Sequence, residues 1–418
     1  MRFESLNQWL SWQESLHTKE IDMGLTRIRQ VAERMDLLAP TSTVITVAGT
    51  NGKGSCVATL EALCLAGDKT VGAFTSPHFL HYNERIRVNG EMASDDDICL
   101  SFERIDQARG DISLTYFEFG ALAALDVFTR HNVEVALLEV GLGGRLDAVN
   151  IIDADLSIVT SIAIDHEAWL GSDREVIGRE KAGIFRSGRP AICADKNAPA
   201  SVAAYARECG AELSMVGEAF DWGSKDQGWY WQGADTALNG LPIPGLPQPS
   251  VAAALQAYQL LWQEFPSNVS EIIGSLVLTG RSQKYRLNDI EVVLDVAHNP
   301  AAAELLAESL ANESISGKTH ALVAVMADKN LAGVFAPLKS QVDSWHLAEL
   351  PGNDRAASVA QMADALGCSC QQYDSVKQGL DTVFPVLNAG DRLVIFGSFF
   401  TVADAQTVLN DVEFPFLN

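Results

Sequence analysis

Between Thr43 and Cys193, short apolar and β-branched runs alternate with segments of helical length, and this alternation constrains the fold most. The runs are Val44–Ala48, Val71–Phe74, Val135–Val140, Leu156–Ser161 and Pro190–Ala194. Each is apolar nearly throughout rather than at every second position, the pattern of strands buried on both faces. Parallel neighbours need a crossover between them, and the intervening segments are long enough to supply helices. A parallel sheet covered on both faces is expected.

The segment Asp221–Ser250 differs. It sets Trp222, Trp229, Tyr230 and Trp231 among glycines and then places prolines at 242, 244, 247 and 249. It reads as an antiparallel patch followed by extended chain, with a helix at Val251–Glu264. A second alternation begins near Tyr285–Ile290, with strands expected at Val292–Val296, Ala321–Met326, Ser344–Ala348 and Leu393–Gly397. The division is therefore a larger α/β domain over residues 1–287 and a smaller Rossmann-like α/β domain over 288–418, linked near Arg286–Asp289.

Subtracting 30 basic from 54 acidic residues leaves a net charge of −24. Such a surface does not suit general nucleic-acid binding, which relies on cations that displace counterions from phosphate. A small anion remains admissible, since a few local cations and backbone N–H groups hold one. The 7 cysteines are odd in number and scattered, which indicates reduced thiols and a cytoplasmic setting. Cys368-Ser-Cys370 has no partner pair to complete a metal site. The first residues lack the basic and then apolar run of a signal peptide, and no window approaches the roughly 18 apolar residues of a spanning helix. No membrane association is expected.

The sharpest local signal is Gly49-Thr50-Asn51-Gly52-Lys53-Gly54-Ser55, which follows the run Val44–Ala48 and precedes the helical stretch Cys56–Ala66. Strand, glycine-rich turn and helix together form a phosphate loop. Its backbone N–H groups would cradle phosphates, Lys53 would reach the outer ones, and the Ser55 hydroxyl would ligate Mg²⁺. It departs from G-x-x-x-x-G-K-[ST] in the spacing of its first glycine and in Gly54 between lysine and serine. Glu139 interrupts the apolar run Val135–Val140, where an unpaired carboxylate is costly and a cation is the simplest partner. His166 follows the next run and would emerge at the same sheet edge, where open α/β sheets bind ligands. By spacing alone, Lys181 reads as an exposed helix lysine. In the second half, Asp295 and His298 close the run Val292–Val296, and Arg281 follows Gly280. Taken singly these read as a turn, with Asn299 and Pro300 starting a helix.

Together these strings resemble the folylpolyglutamate synthase family, within the wider Mur-ligase-like amide ligases. Carrying the resemblance are Gly49–Ser55, Thr75-Ser-Pro-His78, Glu84–Gly90, Thr115-Tyr-Phe-Glu-Phe119, Glu139–Asn150, Ser161–His166, Glu180–Phe185, Asp295–Pro300 and Gly397–Val402. It implies an ATP-dependent ligase in which a carboxylate becomes an acyl phosphate and the amino group of L-glutamate displaces phosphate. The acceptors implied are dihydropteroate and reduced folates. It further implies two Mg²⁺ ions held by Ser55, Glu139 and His166, a carbamylated Lys181 supporting the second ion, and ATP contacts from Arg281 and Asp295. His298 and Ser398 would lie near glutamate and the transferred phosphate, and Thr115, Phe117, Asp147 and Ala148 would hold the pterin. A monomer is implied as well.

The chain departs from the family's strings at Ser250, where Asn is usual before the Ala-rich helix, and at Thr279 and Ser282 around Gly280-Arg281. Those changes bear on adenine and ATP contacts. Competing readings are a monofunctional folylpolyglutamate synthase, a Mur-type ligase with a muramyl-peptide acceptor, and a nucleotide-switched binding protein without ligase chemistry.

Overall fold

The computed structural model describes residues 2–19, 21–225 and 228–410. The chain divides into two compact units: the first runs to Leu276 apart from Gly245–Pro247, and those residues join the second, which begins at Val277.

The first unit is built on eight strands: β1 (Thr43–Ala48), β2 (Val71–Phe74), β3 (Ile86–Val88), β4 (Glu91–Met92), β5 (Val135–Glu139), β6 (Leu156–Val159), β7 (Pro190–Cys193) and β8 (Glu212–Met215). They lie in the order β4-β3-β2-β5-β1-β6-β7-β8. Every pairing is parallel except β2–β3 and β3–β4, so an antiparallel edge extends the parallel sheet. Burial follows the apolar runs: β2 and β5 are buried at every position and β1 at all but its first. Helix Tyr116–Arg130 begins with a capping box in which Thr115 accepts from the Glu118 N–H and the Glu118 carboxylate accepts from the Thr115 N–H. Near the N-terminus, Trp9, Trp12, Phe102 and Phe119 pack largely edge-on, the arrangement that ring quadrupoles favour.

Three strands, β9 (Asp221–Lys225), β10 (Gly228–Gln232) and β11 (Ala237–Leu241), form the antiparallel patch expected from the tryptophan-rich stretch. Asp226 and Gln227 of that stretch lie outside the described residues. Helix Gln248–Trp262 starts before Val251 because Pro249 falls in its first turn, where a missing N–H costs nothing. It packs against helix Lys53–Ala66.

The second unit holds β12 (Gln283–Leu287), β13 (Ile290–Asp295), β14 (Thr319–Val323), β15 (Ser344–Ala348), β16 (Cys370–Tyr373) and β17 (Arg392–Phe396), ordered β12-β13-β17-β14-β15-β16. Arg286–Asp289, expected as a linker, is instead a hairpin end. Leu287 pairs with Ile290 across Asn288 and Asp289, whose φ angles of 47° and 65° are left-handed. Two such residues give the tight turn whose twist matches paired strands. Asn and Asp tolerate that backbone, so the turn was written in the sequence although no glycine marks it. One sheet face carries Ala321, Val323, Trp345, Leu347 and Phe396 into an apolar core. Elsewhere in the sheet His320, His346 and Tyr373 stack in a diagonal row, with His346 Nδ1 3.0 Å from the Tyr373 hydroxyl.

Candidate active site

Strands β2, β5, β1 and β6 are parallel neighbours, so their C-terminal ends open on one edge of the sheet. In the register of β1 and β5, Val47 stands opposite Glu139. The phosphate loop leaving β1, the carboxylate ending β5 and the Thr160–His166 segment leaving β6 are brought together by topology alone.

Two glycines of the loop are required by space and backbone. Gly52 has φ 84°, and a Cβ there would lie 2.2 Å from Ser250 Oγ. At Gly49, with φ 152°, a Cβ would lie within 1.9 Å of Thr160 Oγ1. Thr50 N–H donates to the Ser161 carbonyl (2.8 Å) and Asn51 N–H to Ser161 Oγ (2.9 Å), so those donors face the segment that follows β6. The loop's remaining donors are those that open helix Lys53–Ala66, where an α-helix leaves its first N–H groups without acceptors inside the helix. Lys53 Nζ folds back onto the Gly49 and Thr50 carbonyls at 3.1 and 3.3 Å.

Ser55 is fully buried and its hydroxyl has no hydrogen-bond partner. Glu139, also buried, accepts from the Ser76 N–H at 3.2 Å. Arg145, six residues after Glu139, pairs with Glu180 at 2.9 Å. Among the described residues no group of three or more His, Cys, Asp or Glu gathers as a ready metal cage. An orphaned hydroxyl and a buried carboxylate beside a phosphate loop do fit a hard divalent ion, which commonly keeps phosphate and water oxygens as its other ligands. Ser76 was not singled out in the sequence as a site residue. Its signal was its place in Thr75–His78, directly after β2.

His166 is exposed, adopts a left-handed φ of 52° and opens the short helix Glu167–Leu170. Its N–H donates to the buried Asp165 carboxylate at 2.8 Å. Lys181 departs from what its spacing alone suggests: it is buried, not exposed, in the last turn of helix Arg174–Ala182. It lines one cleft with Gly49, Lys53, Gly141, Asp165 and His166. Burial, reinforced by the charge of Lys53, lowers its pKa to about 7 against the opposing pull of Asp165, Glu180 and Asp147.

The residues expected around a pterin do structural work visible here. Thr115 caps its helix, and Ala148 begins the turn Ala148–Ile151. Asp147 accepts from the N–H groups of Gly141, Leu142 and Val149 at 2.9, 2.9 and 3.1 Å. Burial nevertheless raises its pKa to about 6, those bonds opposing. The Phe117 ring lies so close to Gly141 that a Cβ there would meet it at 2.6 Å. Phe117 and Asp147 thus converge on one glycine just past β5.

In the second unit, Asp295 ends β13 opposite Phe396 of the parallel β17. It accepts from the Ser282 N–H (2.8 Å), the Ser282 hydroxyl (3.2 Å) and the Ala297 N–H (2.7 Å). Burial raises its pKa and Arg281 opposes the shift. The Arg281 guanidinium lies 5.1 Å from the Phe399 ring centroid, and the His298 ring lies 6.4 Å from it. His298 Nδ1 donates to the Val296 carbonyl at 2.7 Å, which directs Nε2 to any further partner. Ser398 is buried and accepts from the Thr401 N–H at 3.0 Å. Arg281, Asp295, His298 and Ser398 therefore gather at the ends of β13 and β17.

Fold and site define an α/β protein of the phosphate-loop class. A profile of the "Mur ligase, glutamate ligase domain" matches residues 280–399. The dihydrofolate synthase/folylpolyglutamate synthase of Escherichia coli K12 is 45% identical over 406 residues, covering 97% of this chain and 96% of the relative. The structure of E. coli FolC in complex with DHPP and ADP superimposes with a TM-score of 0.94 at 44% identity, over 98% of both chains. The Yersinia pestis bifunctional folylpolyglutamate synthase/dihydrofolate synthase, complexed with AMPPNP and Mn ion, gives 0.92 at 44% identity, over 97% of this chain and 98% of that one. The chain belongs to the dihydrofolate synthase/folylpolyglutamate synthase family.

Proposed function

We propose that this protein is an ATP-dependent ligase that joins the amino group of L-glutamate to the carboxyl group of dihydropteroate, giving dihydrofolate, and of reduced folates, giving folylpolyglutamates. The observation that carries this reading is Lys181, an amine buried in one cleft with the phosphate loop and held near neutrality. A cation is of little use to a metal there, whereas a neutral amine adds CO₂: an N–C bond forms, a proton leaves, and an anion replaces the amine. Carbamylated Lys181 and His166 would hold one Mg²⁺, and Ser55 with Glu139 the other. Bound there, the two ions would offset repulsion between the triphosphate and the incoming carboxylate.

The chain's own groups do the rest. The N–H groups at the start of helix Lys53–Ala66 and the Lys53 ammonium hold the phosphates, with Gly49–Asn51 shaping the loop. Arg281 and Asp295 bind further parts of ATP. The substrate carboxylate oxygen takes the γ-phosphoryl group, leaving ADP and an acyl phosphate. The glutamate nitrogen then attacks the acyl carbon, the C–O bond to phosphate breaks, and the amine gives up a proton, for which His298 Nε2 would be the acceptor. Ser398 orients glutamate or the departing phosphate. Phe117 stacks on the pterin, Asp147 accepts from its N–H groups, and Thr115 and Ala148 bound it. The chain acts as a monomer in the cytoplasm, with no nucleic-acid partner.

The test is phosphate release with ATP, Mg²⁺, L-glutamate and either dihydropteroate or tetrahydrofolate, with the products weighed by mass spectrometry. Turnover should need every component, and each acceptor should gain glutamate. Turnover with tetrahydrofolate alone would point to a folylpolyglutamate synthase without the first activity; ATP hydrolysis indifferent to both acids would refute the ligase reading.

A further inference from the structure

The loop that leaves β1 and the segment that leaves β6 are joined by a reciprocal pair of hydroxyl bridges that the chemistry above does not use. Thr50 Oγ1 donates to the Ala163 carbonyl at 3.1 Å and accepts the Ala163 N–H at 3.0 Å. Ser161 Oγ donates to the Asn51 carbonyl at 3.0 Å and accepts the Asn51 N–H at 2.9 Å. Each hydroxyl spends its one proton and a lone pair on the peptide groups of a single residue across the gap. Thr160 Oγ1 adds a bond to the Asn51 carbonyl at 2.7 Å. Thr50 N–H is also committed, to the Ser161 carbonyl at 2.8 Å.

We infer that Thr50 and Ser161 are positioning residues that lock the His166 segment to the phosphate loop, and so fix the metal ligand relative to the nucleotide phosphates. The inference rests on the reading of His166 as a metal ligand. Thr50 lies within the loop string, where a role on phosphate is the obvious expectation, yet its N–H and hydroxyl both bond the segment that follows β6. Only Ile164 and Asp165 separate the gripped Ala163 from His166, and Asp165 itself receives the His166 N–H. Little slack remains between the bridge and the imidazole. Ligands to a metal depend on partners that hold them in orientation, so loosening the bridge should be felt at the metal before the nucleotide.

The test measures Mn²⁺ binding by electron paramagnetic resonance on the full chain with a non-hydrolysable ATP analogue, and separately measures ADP affinity without metal. Thr50→Val and Ser161→Ala should each weaken Mn²⁺ binding about tenfold, while ADP affinity changes less than about threefold and Thr50→Ser stays within about twofold of the parent. Unchanged Mn²⁺ affinity in both variants, alongside a loss in His166→Ala, would overturn the lock while sparing the ligand assignment. An equal loss in Thr50→Ser would also overturn it, since the hydroxyl would then be irrelevant. A fall in ADP affinity as large as that for Mn²⁺ would assign Thr50 to the phosphates instead. Unchanged Mn²⁺ binding in His166→Ala would remove the ligand assignment and this inference with it. Should Thr50→Val not fold, Ser161→Ala decides alone.

Discussion

Lys181 shows how far a residue's chemistry can depart from its sequence neighbourhood. Flanked by Glu180 and preceded by Arg179, it looks solvated; in the fold it is buried, and Lys53 adds repulsion. An ordinary lysine stays protonated to about pH 10, so it rarely meets CO₂ as a free amine. With its pKa lowered to about 7, Lys181 becomes available as pH rises through neutrality. At fixed dissolved ¹³CO₂, a carbamate signal in carbon NMR should grow between about pH 6 and about pH 8 and vanish in Lys181→Ala. No Lys181-dependent signal across that range would refute carbamylation. The meeting of Lys53, Glu139 and His166 at one sheet edge was legible in the sequence because each lies in or just beyond an apolar run with the pattern of a buried strand. Spacing alone showed neither the burial of Lys181 nor the contact of Ser76 with Glu139, because both depend on contacts between distant segments.

At the scale of elements, strands were legible and their partners less so. β2 and β15 match the expected runs residue for residue, and the other expected strands shift at their ends by up to three residues. β3, β4, β8, β12 and β16 were not anticipated: they are short or partly exposed and lack a continuous apolar run. The row His320–His346–Tyr373 is likewise a product of register between strands. Burial lowers the pKa of His346 to about 4, with His320 adding to the shift. His320 is lowered by burial and by Lys318, while Asp391 and Asp343 oppose. The unfolded chain therefore takes up these protons first as pH falls from about 6.5. The stability the neutral pair contributes is complete above that value and drains away toward pH 4. Amide hydrogen exchange in β14–β16 should quicken between about pH 6.5 and about pH 4.5 beyond its intrinsic trend, and His346→Gln should flatten the change. An unaltered profile in His346→Gln would show that another group titrates.

For the whole molecule, a net charge of −24 works against its proposed substrates, all of them anions. Local contacts at the phosphate loop are short and weakly screened, whereas the field that ATP meets on approach is long-ranged and repulsive. Raising ionic strength from about 0.01 M to about 0.15 M cuts the Debye length from about 30 Å to about 8 Å, so kcat/KM for ATP should rise about twofold before falling at higher salt. A monotonic fall from the lowest salt would mean that a positive funnel around the site outweighs the surface.

β1 sits in the middle of its sheet, yet both its neighbours, β5 and β6, lie far downstream in the chain. On the ribosome, then, the phosphate loop emerges long before anything exists to hold it. Its glycines have no Thr160 to rest against, Asn51 has no Ser161, and Glu139 is unmade. Loops of that length form slowly because their closure must precede any reward. A nascent chain halted before His166 should thus be blind to nucleotide, and ATP can stabilise only chains whose synthesis has passed that residue.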